Sequence, residues 1–136
     1  MANFSGTWKL KEAQNFEELL EKVGITPELK AKLSSSDAVP TVEIKQDGDN
    51  FTIKTITKLK TRENSFKVGE TFVDQDIKEI KGIDVTVKSA WEGGKLVLTN
   101  AKEATGTKAE RELVNGEMHV TFTYQGVVAK RIFTKA

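Results

Sequence analysis

The sequence predicts a mainly β protein: a ten-stranded antiparallel up-and-down barrel with a helix-turn-helix lid, folded as one domain over residues 1–136. Three observations carry that expectation. From Thr41 onward apolar and polar residues alternate with period two, the mark of half-buried antiparallel strands. Turn dipeptides interrupt the alternation at short intervals. Residues 15 to 35 carry a helical period instead.

A first strand is expected at Thr7 to Lys11. In the helical stretch, Phe16, Leu19, Leu20 and Val23 fall at i, i+3, i+4 and i+7, while Glu17, Glu18, Glu21 and Lys22 fill the other face. Asn15 is placed to cap this helix, with Glu18 three residues on as in a capping box, and Gly24 suits the left-handed position after its end. A second helix follows, with Thr26 as N-cap, Pro27 at the first helical position and Leu29 and Leu33 one turn apart. Alternation then marks Thr41–Lys45, Phe51–Lys54, Ile83–Lys88 and Met118–Tyr124. Asp47-Gly48, Val68-Gly69, Gly93-Gly94, Asn115-Gly116 and Gln125-Gly126 supply the turns. About ten strands are more than a small twisted sheet leaves open, so closure is expected. A barrel of that width is not filled by its side chains and should enclose a cavity.

Hairpin register sharpens the picture. If Asn115-Gly116 is a two-residue loop, Val114 faces Glu117 and Arg111 faces Val120; if Gln125-Gly126 is another, Val120 faces Arg131. Arg111, Val120 and Arg131 then form one row on one face. Ala109, Leu113, Met118, Phe122, Tyr124, Val127, Ala129 and Phe133 share that face, so it is the inner one. Two guanidiniums thus point inward, roughly 10 Å apart. A buried charge without a partner costs several kcal/mol, and arginine does not escape by losing its proton. The partner is either an acid arriving from elsewhere in the barrel or an anionic ligand with ordered water. A ligand carboxylate is the sharper reading, its tail contributing about 0.8 kcal/mol per buried methylene.

Composition narrows the alternatives. With 21 Lys plus Arg against 20 Asp plus Glu, the net charge of +1 provides no field for a polyanion. The absence of cysteine excludes disulfides, thiolate nucleophiles and cysteine-ligated zinc, and one histidine, His119, excludes multi-histidine metal sites. By register His119 falls on the outer face as a solvated side chain. No catalytic triad order, phosphate-cradling glycine loop or metal spacing occurs, so neither an enzyme nor a cofactor is expected. The two tryptophans read as core anchors. No apolar run approaches the roughly 20 residues that span a bilayer. The opening segment lacks a signal-peptide core, and Ala2 stands where myristoylation needs glycine, so a soluble cytoplasmic protein is expected.

The segments Gly6-x-Trp8-x-Leu10-x4-Asn15-Phe16-Glu17-x-Leu19-Leu20, Val39-Pro40-Thr41-Val42-Glu43-Ile44, Gln46-Asp47-Gly48-Asp49, Ser65-Phe66-Lys67-Val68-Gly69-Glu70 and Arg111-Glu112-Leu113-Val114-Asn115-Gly116 resemble the intracellular lipid-binding proteins, the fatty-acid-binding and cellular retinoid-binding family. The resemblance spans essentially the whole chain. It implies binding and transport of a small hydrophobic carboxylate, with long-chain fatty acid as the first reading and retinoic acid, another retinoid or a bile-acid-type ligand as the alternative. In the family a carboxylate is held by an Arg and an Arg-x-Tyr; the resemblance puts Arg111 and Arg131 on the arginines but Phe133 on the tyrosine. Without that phenol, head-group binding should lean on water, Thr55 or Tyr124. Val120, Phe122 and Ile53 complete the candidate cavity lining, and Phe16, Leu29, Leu33 and Lys60 the lid and portal. The stretch Val73 to Ile83 is longer than usual for the family, so an enlarged loop is expected near the Gly93-Gly94 hairpin. A monomer is expected, and its lid, through Lys22, Lys30 and Lys32, either touches anionic membranes transiently, as the resemblance implies, or is a solvated face whose lysines only balance Glu17, Glu18, Glu21 and Glu28. The rival from another class, a small barrel binding single-stranded nucleic acid, needs exposed aromatics in a basic groove, whereas these aromatics alternate inward.

Overall fold

A computed structural model describes residues 3–33, 35–101 and 108–136. The chain runs β1 (Gly6–Gln14), α1 (Phe16–Val23), α2 (Pro27–Leu33), β2 (Thr41–Asp47), β3 (Asn50–Ile56), β4 (Thr61–Lys67), β5 (Thr71–Val73), α3 (Gln75–Lys81), β6 (Thr86–Glu92), β7 (Lys95–Asn100), β8 (Lys108–Val114), β9 (Glu117–Tyr124) and β10 (Val127–Lys135). All ten strands belong to one antiparallel sheet in the order β4-β3-β2-β1-β10-β9-β8-β7-β6-β5. Sequential neighbours pair except β4 and β5, and β1 also meets β10, which brings the ends of the chain together.

The hairpins explain the register. Asn115 and Gly116 have φ of 52° and 83°, Gln125 and Gly126 of 44° and 86°. Positive φ at both central residues is the type I′ geometry whose twist matches the flanking strands. Val114 therefore faces Glu117, and Tyr124 faces Val127. Arg111, Val120 and Arg131 stand in one row.

Closure is incomplete as a hydrogen-bonded ladder, because β4 and β5 sit at opposite ends of the strand order. Side chains span the gap instead. The Phe66 and Phe72 rings stack at 4.4 Å, the Gln75 N–H donates to Asn64 Oδ1 at 2.9 Å, and Arg62 Nε donates to Asp76 Oδ1 at 2.7 Å. Two of these three links start from α3, in the segment expected to be an enlarged loop. The long β5–β6 connection is instead mostly helical: Asp74 Oδ1 accepts from the backbone N–H of Asp76 at 2.8 Å and Ile77 at 3.1 Å, and Gly82 ends the helix at φ 72°. In consequence β6 begins at Thr86 and not at Ile83.

The lid helices form as expected at the end of α1 and the start of α2. Gly24 N–H bonds Glu21 O and Ile25 N–H bonds Leu20 O, and Thr26 Oγ1 accepts from Leu29 N–H at 3.2 Å. Asn15 is the correction. Its side chain makes no cap bond; it sits at φ 57°, ψ 18° and sends Nδ2 to Val128 O. What its position demands is tolerance of the left-handed conformation, which asparagine shares with glycine.

Aromatic packing fills one end of the barrel. Phe4, Phe51, Phe66 and Trp91 pack together, Trp8 N–H donates to Phe4 O at 2.9 Å, and Trp91 N–H donates to Asp49 Oδ1 at 2.9 Å. These residues lie near the β2–β3 and β6–β7 turns. The opposite end, under α1 and α2, is hollow.

Candidate functional site

The hollow is a cavity of about 280 Å³ between the lid helices and the inner sheet face. Most expected site residues line it. Arg111, Arg131, Phe133, Val120, Phe122, Thr55 and Tyr124 all reach its wall. Phe16, Leu29, Leu33 and Lys60 do so at the lid side, with Lys60 Nζ held 2.8 Å from Glu79 Oε2. Ile53 sits elsewhere: it packs in the core with Phe51 and Phe66 and is off the cavity wall. Of the lid lysines, Lys30 is tied to Glu21, and Lys32 borders the cavity mouth.

The arginine row is the electrostatic centre. Arg111 Nε and Nη1 and Arg131 Nε are sealed from solvent without a hydrogen-bond acceptor. No carboxylate of the described residues forms an ion pair with either guanidinium. Burial pushes the Arg111 pKa down, opposed by attraction to Asp76 and then Asp74. Burial likewise pushes Arg131 down to about 10, with Arg62 adding repulsion and Asp76 attraction. Both stay protonated at neutral pH, so the depression measures charge left without a contact partner. The Arg131 guanidinium carbon lies 3.8 Å from the centre of the Phe16 ring, and Phe16 meets Phe122 edge-on at 6.1 Å. The lid thus covers one arginine with an aromatic face, a contact that attracts a cation without supplying an acceptor.

Acids do arrive from elsewhere in the barrel, though they stop short of the row. Asp74 and Asp76, at the start of α3, reach the cavity wall beside Arg62. Asp76 engages Arg62; Asp74, 7 % exposed, is spent on capping α3, and burial followed by the neighbouring Asp76 raises its pKa. The sequence pattern gave no access to these three residues. Arg62 faces Thr55 across a β3–β4 connection with no two-residue turn signal, and α3 is one short helix inside a β meander. The signal that could have found them is Asp74 followed by a polar and apolar stretch ending at Gly82, a helix start and stop.

His119 also differs from expectation. It is on the outer face of β9, yet only 12 % of its side chain is exposed, with Nε2 3.7 Å from Glu117 Oε1. Among the described residues no group of three or more His, Cys, Asp or Glu could hold a metal, and no helix is long and apolar enough to cross a membrane.

Residues 5–136 match the family model described as lipocalin / cytosolic fatty-acid binding protein family. Cellular retinoic acid-binding protein 1 of Homo sapiens is 39% identical over 139 residues, covering 99% of both chains, and that of Pelodiscus sinensis is 38% identical with the same coverage. Among solved structures, the REP1-NXSQ fatty acid transporter superposes with a TM-score of 0.87 at 28% identity, covering 100% of this chain and 98% of that one. Human cRBP IV superposes with a TM-score of 0.87 at 29% identity over 100% of both.

Proposed function

Because the chain belongs to the lipocalin / cytosolic fatty-acid binding protein family, we propose that it binds and carries a lipophilic carboxylic acid inside the barrel, in the cytosol. The observation that carries this reading is the pair of guanidiniums with buried, unmet donors, Arg111 Nε and Nη1 and Arg131 Nε, at the wall of an otherwise largely apolar cavity. A carboxylate is the anion that accepts from such donors while its tail fills the space under α1 and α2; each charge-assisted bond contributes about 1.5–3 kcal/mol. Retinoic acid is the first ligand to test, since the curated relatives, matched over nearly their whole length, are retinoic acid-binding proteins. That reverses the order read from the sequence, where fatty acid came first. Long-chain fatty acid stays as the second reading, supported by the fit to a fatty acid transporter over the whole chain.

Titration of delipidated protein with retinoic acid, retinol, oleic acid and oleyl alcohol tests the proposal. Each acid should bind at least about tenfold more tightly than its alcohol, the free-energy equivalent of one charge-assisted bond. Equal affinity for acid and alcohol in both pairs overturns it. The better-bound acid decides between the two ligand readings.

A further inference from the structure

Five charged side chains border the interior of the cavity, and their sum constrains what can enter. Arg62, Arg111 and Arg131 contribute three positive charges; Asp74 and Asp76 contribute two negative ones. The other lining charges are cancelled or wet. Lys60 pairs with Glu79 at 2.8 Å, Lys108 pairs with Glu110 at 3.0 Å, and Lys32 is exposed to solvent. Within the interior group Asp74 is 7% exposed and the Arg62 side chain 17%, while Asp76, at 32%, is held on Arg62. In such a setting an uncompensated charge is expensive, and the field of one group is felt by the others across the cavity.

The two acids occupy a telling position. Neither touches the Arg111–Arg131 row, so the donors there stay open, yet both aspartates attract Arg111 and Asp76 attracts Arg131 through space. Asp76 is anchored on Arg62 at 2.7 Å, and Asp74 is locked by two backbone N–H groups at the start of α3. They therefore act as fixed counter-charges that lower the cavity's positive charge without filling the contact site. One head-group charge brings the interior to neutrality. A second would be placed, without compensation, in the field of two carboxylates, and a neutral head group would leave the arginines unmet.

We propose that Asp74 and Asp76 at the start of α3, set against Arg62, Arg111 and Arg131, hold the cavity interior at a net charge of +1 and thereby select a singly charged head group over a dianionic or a neutral one on the same tail. The inference rests on the carboxylic acid reading and goes further by naming the residues that count the charge. Asp76 and Arg62 are specificity determinants in this scheme, acting through the field and not by touching the ligand.

The test is a charge-swap series read by titration calorimetry at pH 8, where a phosphate monoester carries nearly two charges. Retinoic acid, retinyl phosphate and retinol share one tail; palmitic acid, hexadecyl phosphate and hexadecanol share another. Wild type should prefer the acid. Asp76→Asn, with an interior of +2, should raise the affinity ratio of phosphate to acid by about tenfold, and Arg62→Met, with an interior of zero, should lower the ratio of acid to alcohol by about tenfold. The double variant Arg62→Met/Asp76→Asn restores +1 and should return both ratios to within about threefold of wild type, which additive damage to packing does not do. Arg62→Met removes the link to Asp76 but keeps the sequence of α3 and its Asp74 cap, so it decides the matter even if Asp76→Asn fails to fold. A shift under about fivefold in the folded single variants, or a double variant that keeps a shifted ratio, overturns the inference. Wild-type protein that binds neither acid overturns the carboxylic acid reading beneath it instead.

Discussion

Replacing Arg131 by methionine should make the empty protein more stable and the carboxylate complex weaker. Arg131 is half-buried, has its Nε sealed without an acceptor, and has a pKa pushed down to about 10 by burial first and by Arg62. At about 1.36 kcal/mol per pKa unit, that depression corresponds to roughly 3 kcal/mol of penalty on the charged form in the folded state. Methionine keeps the apolar stem and removes the penalty. It also removes the guanidinium from the Phe16 face, a contact of 3.8 Å contributing about 1–2 kcal/mol when desolvated. The balance is a gain of about 1–2 kcal/mol, which with a slope near 2 kcal/mol/M raises the urea midpoint by roughly 0.5–1 M. Binding moves the other way. Losing a charge-assisted bond of about 1.5–3 kcal/mol weakens retinoic acid by roughly 10- to 150-fold, while retinol, with no charge to meet, changes little. Urea unfolding of the delipidated protein and titration with the two ligands measure both signs. A lower urea midpoint for the variant, or equal weakening of acid and alcohol, would refute the reasoning.

Phe133→Tyr adds a hydroxyl at a cavity-wall position that is 3% exposed; a new bond to the carboxylate should tighten retinoic acid by about 0.5–1.5 kcal/mol, a titration with the wild type alongside being the check. Asp74→Asn should stabilise the protein at pH 7. Asparagine caps a helix as well as aspartate does, while the buried carboxyl, raised by desolvation and by Asp76, contributes stability in its protonated form that is lost as pH rises through its folded pKa. The advantage of the variant should shrink as pH falls toward the ordinary carboxylate range near about 4, and urea unfolding at several pH values follows it. Asn15→Ala should destabilise by about 1 kcal/mol and Asn15→Gly by only a few tenths, because the position requires positive φ and no side-chain cap bond is lost; thermal unfolding that ranks alanine equal to glycine contradicts this.

The sequence alone determined the parts of this protein that rest on local periodicity and tight turns. Period two from Thr41 onward, Asn115-Gly116 and Gln125-Gly126 placed Arg111, Val120 and Arg131 in one inward row, because a two-residue hairpin ties register to the positions of two residues. The lid followed from the apolar stripe of Phe16 to Val23 and from Thr26-Pro27. Tertiary structure decided what crosses the barrel. No ladder joins β4 to β5, so the gap is closed by Phe66 on Phe72 and by α3; Val68-Gly69 marks the turn between these consecutive strands, but a turn signature does not say whether the strands it joins go on to pair. The same gap brings Arg62, Asp74 and Asp76 to the cavity, where burial and mutual fields, absent from any one-dimensional pattern, set their charge balance. Asn15 shows the difference at the scale of one residue: its helix-start position was legible, but whether it serves through its side chain or its backbone depended on how β1 turns into the lid, and the turn required a left-handed residue.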